Sequence, residues 1–234
     1  VPQFFTIADS VWSTIRYPIP TDFIRGKLDI NEFKEKSIMI DTNKYYVSND
    51  DSNGITEPLR KLHNYIKSKL IVGVGSSFSK KINILDLSIG RGGDINKYIQ
   101  YDTNAKFILG LDISSNITEA CSRYYNSRKD KPPAVFLLAN TSESISNADC
   151  FNDIDTDENV QKQISHSKTM LNILYNLRNP VPKEYKNIQK KYNNLALKKF
   201  DMISTQFTLH YYFEDNSTFE GFMQNVKDNI ASKG

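Results

Sequence analysis

Three short apolar runs, each followed by a polar stretch, constrain the fold of this chain more than any other feature. The runs are "KINILDLSIG", "AKFILGLDIS" and "PAVFLLANTS". Their apolar residues are continuous rather than alternating, which is typical of strands buried on both faces. "GGDINKYIQ" and "SNITEACSRYYNSRK" follow the first two runs as helices. This alternation predicts an α/β fold with a mainly parallel sheet and helices on both faces.

The second half of the chain resumes this pattern after an interruption. Residues 143–199 are polar and include the acidic stretch "CFNDIDTDENV", so they predict an insertion with one or two helices. "KFDMISTQFTLHYYF" predicts a further strand and loop. The segment after it predicts an amphipathic helix with one apolar face, formed by Phe219, Phe222, Met223, Val226 and Ile230. A doubly wound sheet normally has more strands, so we expect C-terminal strands to be missing from this sequence.

A glycine-rich loop follows the first predicted strand, in "ILDLSIGRGGD". Gly90, Gly92 and Gly93 allow a backbone to turn tightly and to approach a ligand closely. The N–H groups at the start of the next helix favour a carboxylate or phosphate. A tight turn without any ligand remains an alternative. The spacing differs from the GxGxxG order of dinucleotide sites, and the loop lacks the GK[ST] ending of a P-loop.

Two further polar residues end the second and third predicted strands. Asp112 lies about 20 residues after the glycine loop, where a carboxylate can accept hydrogen bonds from both ribose hydroxyls. Asn140 ends the third strand, where its amide could pair with the edge of an adenine. A helix cap at Asp112 and a turn residue at Asn140 are the structural alternatives. The loop and Asp112 together predict a site for a cofactor that contains a nucleoside.

Two polar and aromatic clusters lie outside the predicted sheet core. "STQFTLHYYF" contains Gln206, His210, Tyr211 and Tyr212, which offer aromatic faces and directed hydrogen bonds to a planar base. "HNYIKS" places polar residues on one face of a helix, because positions three and four apart are neighbours: His63, Asn64 and Lys67. A structural histidine and a solvated helix face are the alternatives.

Composition narrows the class of protein. The hydrophobic fraction is 39%, the charged fraction is 24% and the formal net charge is +3, which is ordinary for a globular chain and too mild to indicate nucleic-acid binding. Cys121 and Cys150 form neither a disulfide framework nor a zinc motif, so we expect no metal and a reducing compartment. No signal peptide and no run of ~18 apolar residues is present, so we expect a soluble intracellular protein without a membrane partner.

The three motifs taken together resemble mRNA cap guanine-N7 methyltransferases. "LHNYIKS", "LDLSIGRGGD" and "FDMISTQFTLHYYFE" occur in the order of the family's usual "FNNWIKS", "LDLGCGKGGD" and "FDxxSCQFxxHYxFE". The resemblance covers residues 55–234 and implies a Rossmann-like class I S-adenosylmethionine methyltransferase domain over 37–234. Residues 1–36 are similar to the segment that joins guanylyltransferase and methyltransferase in capping enzymes of large cytoplasmic DNA viruses. We therefore expect an N-terminal arm or interdomain linker there.

The resemblance also implies roles for individual residues. Residues that would contact S-adenosylmethionine are Lys67, Asp86, Ser88, Gly90, Asp94, Asp112, Asn140, Gln206 and Tyr211. Residues that would face the cap guanosine are His63, Asn64, Tyr65, His210 and Tyr211. The chain departs from the family at Ser88, Arg91, Asn140 and His63, where Gly, Lys, Asp and Asn are usual. A family glutamate that contacts guanine would lie beyond Gly234.

The implied reaction is methyl transfer to guanine N7 of the mRNA cap by positioning, without a general base and without a catalytic acid or base residue. The implied partners are a capped mRNA 5′ end, guanylyltransferase and triphosphatase domains of the same polypeptide, and a stimulatory subunit. The implied location is the host cytoplasm or the virion. Two alternatives stay open: a methyltransferase for another substrate, and a non-catalytic, methyltransferase-like subunit that binds RNA.

Overall fold

The computed structural model describes residues 57–152, 154 and 158–232. The chain divides after Arg60 into two units, and almost all the described residues belong to the second. The predicted arm, residues 1–36, lies outside the described residues. In the described part of the chain, no helix is both long and apolar enough to cross a membrane.

Among the described residues, four parallel strands form the sheet in the order β3-β2-β1-β4. They are β1 (Ile82–Asp86), β2 (Ala105–Asp112), β3 (Ala134–Leu138) and β4 (Met202–Ser204). Every pairing is parallel, and the central strand β1 is almost completely buried. The parallel α/β architecture predicted from the apolar runs is therefore confirmed.

Six α-helices surround this sheet within the described residues. They are α1 (Glu57–Ser76), α2 (Ile95–Tyr98), α3 (Ile117–Tyr125), α4 (Glu158–Tyr175), α5 (Lys186–Tyr192) and α6 (Asn216–Asn229). Short 3₁₀ turns lie at Tyr101–Thr103, Asp149–Phe151, Lys183–Tyr185, Ala196–Lys198 and Leu209–Phe213. The segment predicted as a strand and loop thus forms only a three-residue strand, and its aromatic cluster lies on a 3₁₀ turn.

Helices cover both faces of the sheet. Phe107 of β2 lies 6.4 Å from Tyr192 of α5 between ring centroids. Phe136 of β3, whose register partner is Gly110, lies 5.6 Å from Tyr124 of α3. Phe107 and Gly110 are three residues apart on one strand, and side chains alternate between the faces of a sheet. The two phenylalanines therefore contact helices on opposite faces.

Helix α4 lies in the stretch that the sequence predicts to be an insertion, and it packs directly against the edge strand β3. Its Ser167 hydroxyl accepts a hydrogen bond from the backbone N–H of Leu138, at 3.0 Å. The C-terminal half of the helix is buried, including Met170, Leu171 and Leu174. Parallel strands need a long crossover connection, and α4 supplies the main helix of the connection from β3 to β4.

Helix α6 buries a face that overlaps the predicted one only in part: Phe222 is buried and Val226 packs against the core, whereas Met223 and Ile230 are exposed. Met223 is 46% exposed, whereas Asn225 and Asn229 are 1% and 2% exposed. The Asn225 side chain accepts from the backbone N–H of Ile145 and donates to the carbonyls of residues 141 and 143. The periodicity of apolar residues did not predict this burial, because the two asparagines are buried through hydrogen bonds to backbone groups rather than through apolar packing.

After α6 the chain returns to the sheet beside β4. The N–H of Phe200 donates to the carbonyl of Asn229 at 2.8 Å, and the N–H of Ala231 donates to the carbonyl of Phe200 at 2.9 Å. A parallel bridge joins Phe200 and Ile230. The carboxyl ends of all four strands lie at one edge of the sheet, which brings Asp86, Asp112 and the residues after β3 and β4 together there.

Candidate functional site

The glycine loop after β1 turns through backbone conformations that favour glycine. Gly90 has φ of +51° and Gly92 has φ of +79°. A side chain at Gly92 would lie 2.6 Å from Ile95 Cδ1 and 2.9 Å from the Cα of Ala120 in α3. A side chain at Gly90 would lie 3.8 Å from the Asp112 carboxylate. Glycine at 92 therefore permits close packing of α3, and glycine at 90 keeps space open above Asp112.

Asp112 is bound directly to the glycine loop. Its Oδ2 accepts from the backbone N–H of Gly90 at 2.7 Å, and its Oδ1 accepts from the backbone N–H of Ser114 at 2.8 Å. Burial raises the pKa of Asp112, against these two hydrogen bonds. Each carboxylate oxygen has two lone pairs, so both can accept a second donor. The two features that predict a nucleoside site thus lie together, not on opposite sides of the molecule.

Asp86, the last residue of β1, hydrogen-bonds to the backbone of the glycine loop. It is 2% exposed. Its carboxylate accepts from the Tyr98 hydroxyl of α2 at 2.7 Å and from the Ser88 backbone N–H at 2.9 Å. Burial raises the pKa of Asp86 to about 7 despite these hydrogen bonds. Because the side chain points into the protein, Asp86 contacts the loop backbone rather than an open site.

We expect Asp86→Asn to change how stability depends on pH. The folded-state pKa of about 7 exceeds the ordinary 3.8, so the folded protein holds this proton more tightly than the unfolded chain. The stabilisation from protonated Asp86 is present below pH about 4 and is lost as the pH rises through about 7. The advantage of Asp86→Asn over wild type in unfolding free energy should therefore increase across that window.

Urea unfolding at several pH values measures this difference. The exposed Asp102→Asn makes the same change from carboxylate to amide and is the matched control. A flat difference curve for Asp86→Asn would show that Asp86 is ionised throughout.

A network of charged side chains ties helix α1 to the glycine loop. Asp94 accepts from Lys67 of α1 and from Lys97 of α2, both at 2.8 Å. Lys97 also donates to Asn64 Oδ1 and to the carbonyl of Gly93, both at 3.2 Å. Two ammonium groups share one carboxylate, so the network carries a net charge of +1 beside the loop. Such a site favours an anionic ligand.

Aromatic side chains lie near Lys67 of α1. Phe207, in the loop after β4, has its ring 4.7 Å from that of His63 and 5.1 Å from the Lys67 ammonium. Phe207 is about half exposed and has φ of +61°, a conformation that costs a bulky residue of the order of 1 kcal/mol or more. Tyr65 is exposed on α1, with Lys69 over its ring. The strained loop therefore presents an aromatic ring next to α1.

The residues predicted after β3 and β4 surround the same edge of the sheet. His210 and Tyr211 are exposed, with ring centroids 4.1 Å apart. The Gln206 amide donates to the Ser204 hydroxyl at 3.1 Å. Asn140 Oδ1 accepts from the backbone N–H of Ser142 at 3.0 Å, as in the turn that the sequence left as an alternative.

Tyr212, unlike His210 and Tyr211, is buried. Its hydroxyl lies 2.6 Å from the Thr141 hydroxyl and donates to the carbonyl of Leu87 at 3.1 Å. Burial raises the pKa of Tyr212. Through these hydrogen bonds Tyr212 connects the 3₁₀ turn after β4 to the loops after β1 and β3.

Sequence reasoning missed three contributors to this arrangement. Lys97 is buried in the charged network, and its position three residues after Asp94 on a helix was the available signal. The Thr208 hydroxyl donates to the Ser88 hydroxyl at 2.6 Å, and Thr205 lies 3.2 Å from the same hydroxyl. No local pattern indicates a contact between residues 120 positions apart.

Comparison with known proteins identifies the family. Residues 42–176 match the model of the mRNA (guanine-N(7))-methyltransferase domain. The chain belongs to this family. The matched region of the methyltransferase contains α1, the glycine loop, Asp112 and Asn140, whereas the aromatic cluster after β4 lies beyond it. Membership implies the use of S-adenosylmethionine and binding of the mRNA cap.

Individual relatives agree with this assignment. The chain is 30% identical to the "probable mRNA-capping enzyme" of Acanthamoeba polyphaga mimivirus over 97% of its own length and 18% of that protein. It is 26% identical to an mRNA cap guanine-N(7) methyltransferase of Caenorhabditis briggsae, over 75% of the chain and 36% of the relative. For a protein of the same name from Aspergillus niger the identity is 23%, over 75% and 28%. The chain thus spans between 18% and 36% of the length of each of these relatives.

Proposed function

We propose that this chain transfers the methyl group of S-adenosylmethionine to guanine N7 of the mRNA 5′ cap. The observation that carries the proposal is the 2.7 Å hydrogen bond from the Gly90 N–H to Asp112, which joins the glycine turn to the strand-end acid. Together they form a cradle that accepts a nucleoside, because the turn has no side chain above the carboxylate. Family membership supports the reaction.

Each part of the cofactor would have a group of matching chemistry. The unused lone pairs of Asp112 would accept the ribose hydroxyls. The positive network of Lys67, Asp94 and Lys97 would face the methionyl carboxylate beside the loop. Asn140 commits its Oδ1 to Ser142, so its amide NH₂ is the group that would reach adenine. The remaining proposed cofactor residues are Ser88, Gln206 and Tyr211, with Asp86 acting through the loop backbone.

The cap guanine would lie among the aromatic groups next to this cradle. His210 and Tyr211 form one pair of rings on the 3₁₀ turn after β4. His63 of α1 and Phe207 of the loop after β4 form a second pair. Planar bases stack on such faces, and a ring that becomes cationic on methylation is held more tightly by aromatic faces. Asn64 and Tyr65, on the same helix as His63, complete the proposed cap residues.

Positioning is sufficient for this reaction. When bound, S-adenosylmethionine supplies an electrophilic methyl group. Guanine N7 has an in-plane lone pair, so no side chain has to remove a proton. The residues around the site have to hold the nucleophile in line at near-attack distance, which can contribute on the order of 7–11 kcal/mol. We therefore expect no single acid or base residue whose loss abolishes the reaction by stopping proton transfer.

A methyl-transfer assay tests the proposal. The purified chain, given labelled S-adenosylmethionine and GpppA, should label the guanine at N7, as identified after digestion of the cap. ApppA, which lacks guanine, is the matched control and should stay unlabelled. S-adenosylhomocysteine and sinefungin should each raise the melting temperature, because a ligand selective for the folded state stabilises it. Stabilisation by both ligands without labelling of GpppA would indicate another substrate, and failure of both tests would indicate a non-catalytic subunit.

We infer that the chain acts with the other steps of capping. Support comes from the mimivirus relative, which is named as a capping enzyme and is matched over only 18% of its length. Guanylyltransferase and triphosphatase domains in the same polypeptide would supply the capped RNA 5′ end. The stimulatory subunit and the location in host cytoplasm or virion stay predictions.

A further inference from the structure

The part of helix α1 that carries the proposed cap residues is not held by a buried apolar face. None of residues 61–70, all of which the structure describes, is buried. Leu62, Ile66 and Leu70 recur every four residues along this segment, and all three are exposed. Packing of an apolar face is the usual source of helix stability in a folded domain. The position of residues 61–70 therefore depends on their polar and aromatic contacts.

Lys97 of α2 connects this segment to the glycine loop. Its ammonium group donates to Asn64 Oδ1 and to the carbonyl of Gly93, both at 3.2 Å, and to Asp94 Oδ1 at 2.8 Å. An ammonium group has three N–H donors, so each donor of Lys97 has one acceptor. The side chain is also buried. Lys97 therefore has no donor left for a ligand, and what it does is hold other groups together.

Lys67 of α1 binds the same carboxylate but has donors to spare. It donates to Asp94 Oδ2 at 2.8 Å, and no second hydrogen-bond acceptor for it is found among the described residues. Two of its three N–H groups can therefore meet a ligand. Its side chain is 18% exposed, against 10% for Lys97. The two lysines carry the same charge, but only Lys67 is placed to bind an anionic group of a ligand directly.

The hydrogen bond from Lys97 also fixes the orientation of the Asn64 amide. An asparagine amide has an acceptor oxygen and a donor NH₂ group, and a rotation about one bond exchanges them. Lys97 donates to Oδ1, so the NH₂ group of Asn64 is the end that can reach a ligand. The exchanged orientation would direct the NH₂ group at an ammonium group. Lys97 therefore decides which group Asn64 presents between its neighbours His63 and Tyr65.

We propose that Lys97 is a positioning residue for the methyl transfer, which holds the cap residues of α1 in fixed register with the cofactor loop. This inference rests on the proposed function. Lys97 contacts neither the cap nor the cofactor, and it acts through Asn64, Asp94 and the carbonyl of Gly93. The nucleophile and the methyl carbon have to be in line, so a small displacement between the two sides of the site lowers the rate more than it lowers binding.

Steady-state kinetics of the purified chain with S-adenosylmethionine and GpppA test this role. Lys97→Met removes the three hydrogen bonds and should lower kcat on the order of 10- to 100-fold with both substrates saturating, since a displacement of about 1 Å can cost about 100-fold. Lys67→Met makes the same charge change beside Asp94, but it should mainly raise the KM for S-adenosylmethionine because it removes a ligand contact. Lys80→Met removes an exposed lysine from an ion pair with Asp201 and should behave like wild type.

A double-mutant cycle tests whether Lys97 acts through Asn64. Asn64→Leu breaks the same hydrogen bond from an exposed position, so we expect this variant to fold. It should lower kcat in the wild-type background and much less in the Lys97→Met background, where the register is already lost. Equal fold-changes in the two backgrounds would overturn the proposal. So would Lys97→Met with an unchanged kcat and only a higher KM for S-adenosylmethionine.

Amide hydrogen exchange, followed by mass spectrometry, tests the anchoring of α1 without any substrate. Residues 61–70 should exchange about 10-fold faster in Lys97→Met and in Asn64→Leu, because each variant loses a hydrogen bond to a charged group. Lys80→Met should leave their exchange unchanged. Unchanged exchange in both Lys97→Met and Asn64→Leu would overturn the positioning role, whereas a wild-type chain that methylates no cap would count against the proposed function.

Discussion

Replacing Asp112 with alanine is expected to weaken binding of S-adenosylhomocysteine at least ~100-fold. The carboxylate would lose its two proposed hydrogen bonds to the ribose, and a hydrogen bond to a charged group contributes about 1.5–3 kcal/mol. Two such bonds correspond to a factor of ~100 or more at 1.4 kcal/mol per tenfold. The Gly90 N–H would also lose its acceptor, so the glycine turn would be less well held. Isothermal titration calorimetry measures the affinity directly.

Two further variants make the Asp112 result specific. Asp112→Asn keeps one acceptor oxygen but directs an NH₂ group at a backbone N–H or a ribose hydroxyl, so we expect only partial recovery of affinity. Glu184→Ala removes an exposed carboxylate from a distant 3₁₀ turn and should bind like wild type. Normal affinity in a folded Asp112→Ala protein would refute the cofactor site.

Gly221→Ala should destabilise the fold by about 3 kcal/mol. A Cβ at this position in α6 would lie 1.8 Å from the carbonyl oxygen of Ser142, a backbone atom that cannot rotate away. The helix or the loop after β3 has to move, and overpacking of this kind usually costs 1–3 kcal/mol, sometimes more. The movement would also disturb the three hydrogen bonds of Asn225, which fix the same loop one turn further along α6.

Gly73→Ala is the matched control for this effect. It is also a helical glycine, but a Cβ there would meet nothing within 4 Å. We expect stabilisation of roughly 0.5–1 kcal/mol, because alanine restricts the unfolded chain and favours helix. Urea unfolding at constant m-value gives both changes. Equal midpoints for Gly221→Ala and wild type would mean that α6 is not packed against Ser142 as described.

The parallel sheet could be predicted because its signal is local. Continuous apolar runs such as residues 107–111 indicate a strand that is buried on both faces. This signal does not depend on residues that are distant in the sequence. The buried face of α6 was predicted only in part: Phe222 is buried as expected, but periodicity counts apolar residues and cannot recognise asparagines that bind backbone groups.

The candidate site likewise has features that could be predicted from the sequence and others that could not. The residue types of the glycine turn and of Asp112 follow from chemistry that acts over a few positions: a turn without side chains, and an acid at a strand end. The hydrogen bonds from Lys97 to Asn64 and from Thr208 to Ser88 could not be predicted. These two contacts join residues 33 and 120 positions apart.

The amino-acid sequence by itself determined the strand and helix types, the glycine turn and the carboxylate at the end of β2, because backbone propensity and burial are set by neighbouring residues. Only the tertiary structure decided which side chains meet across elements, including the positive network beside the glycine loop. The physical reason is that a side-chain pair forms where packing brings two distant segments within hydrogen-bond distance, and no short stretch of sequence contains both partners.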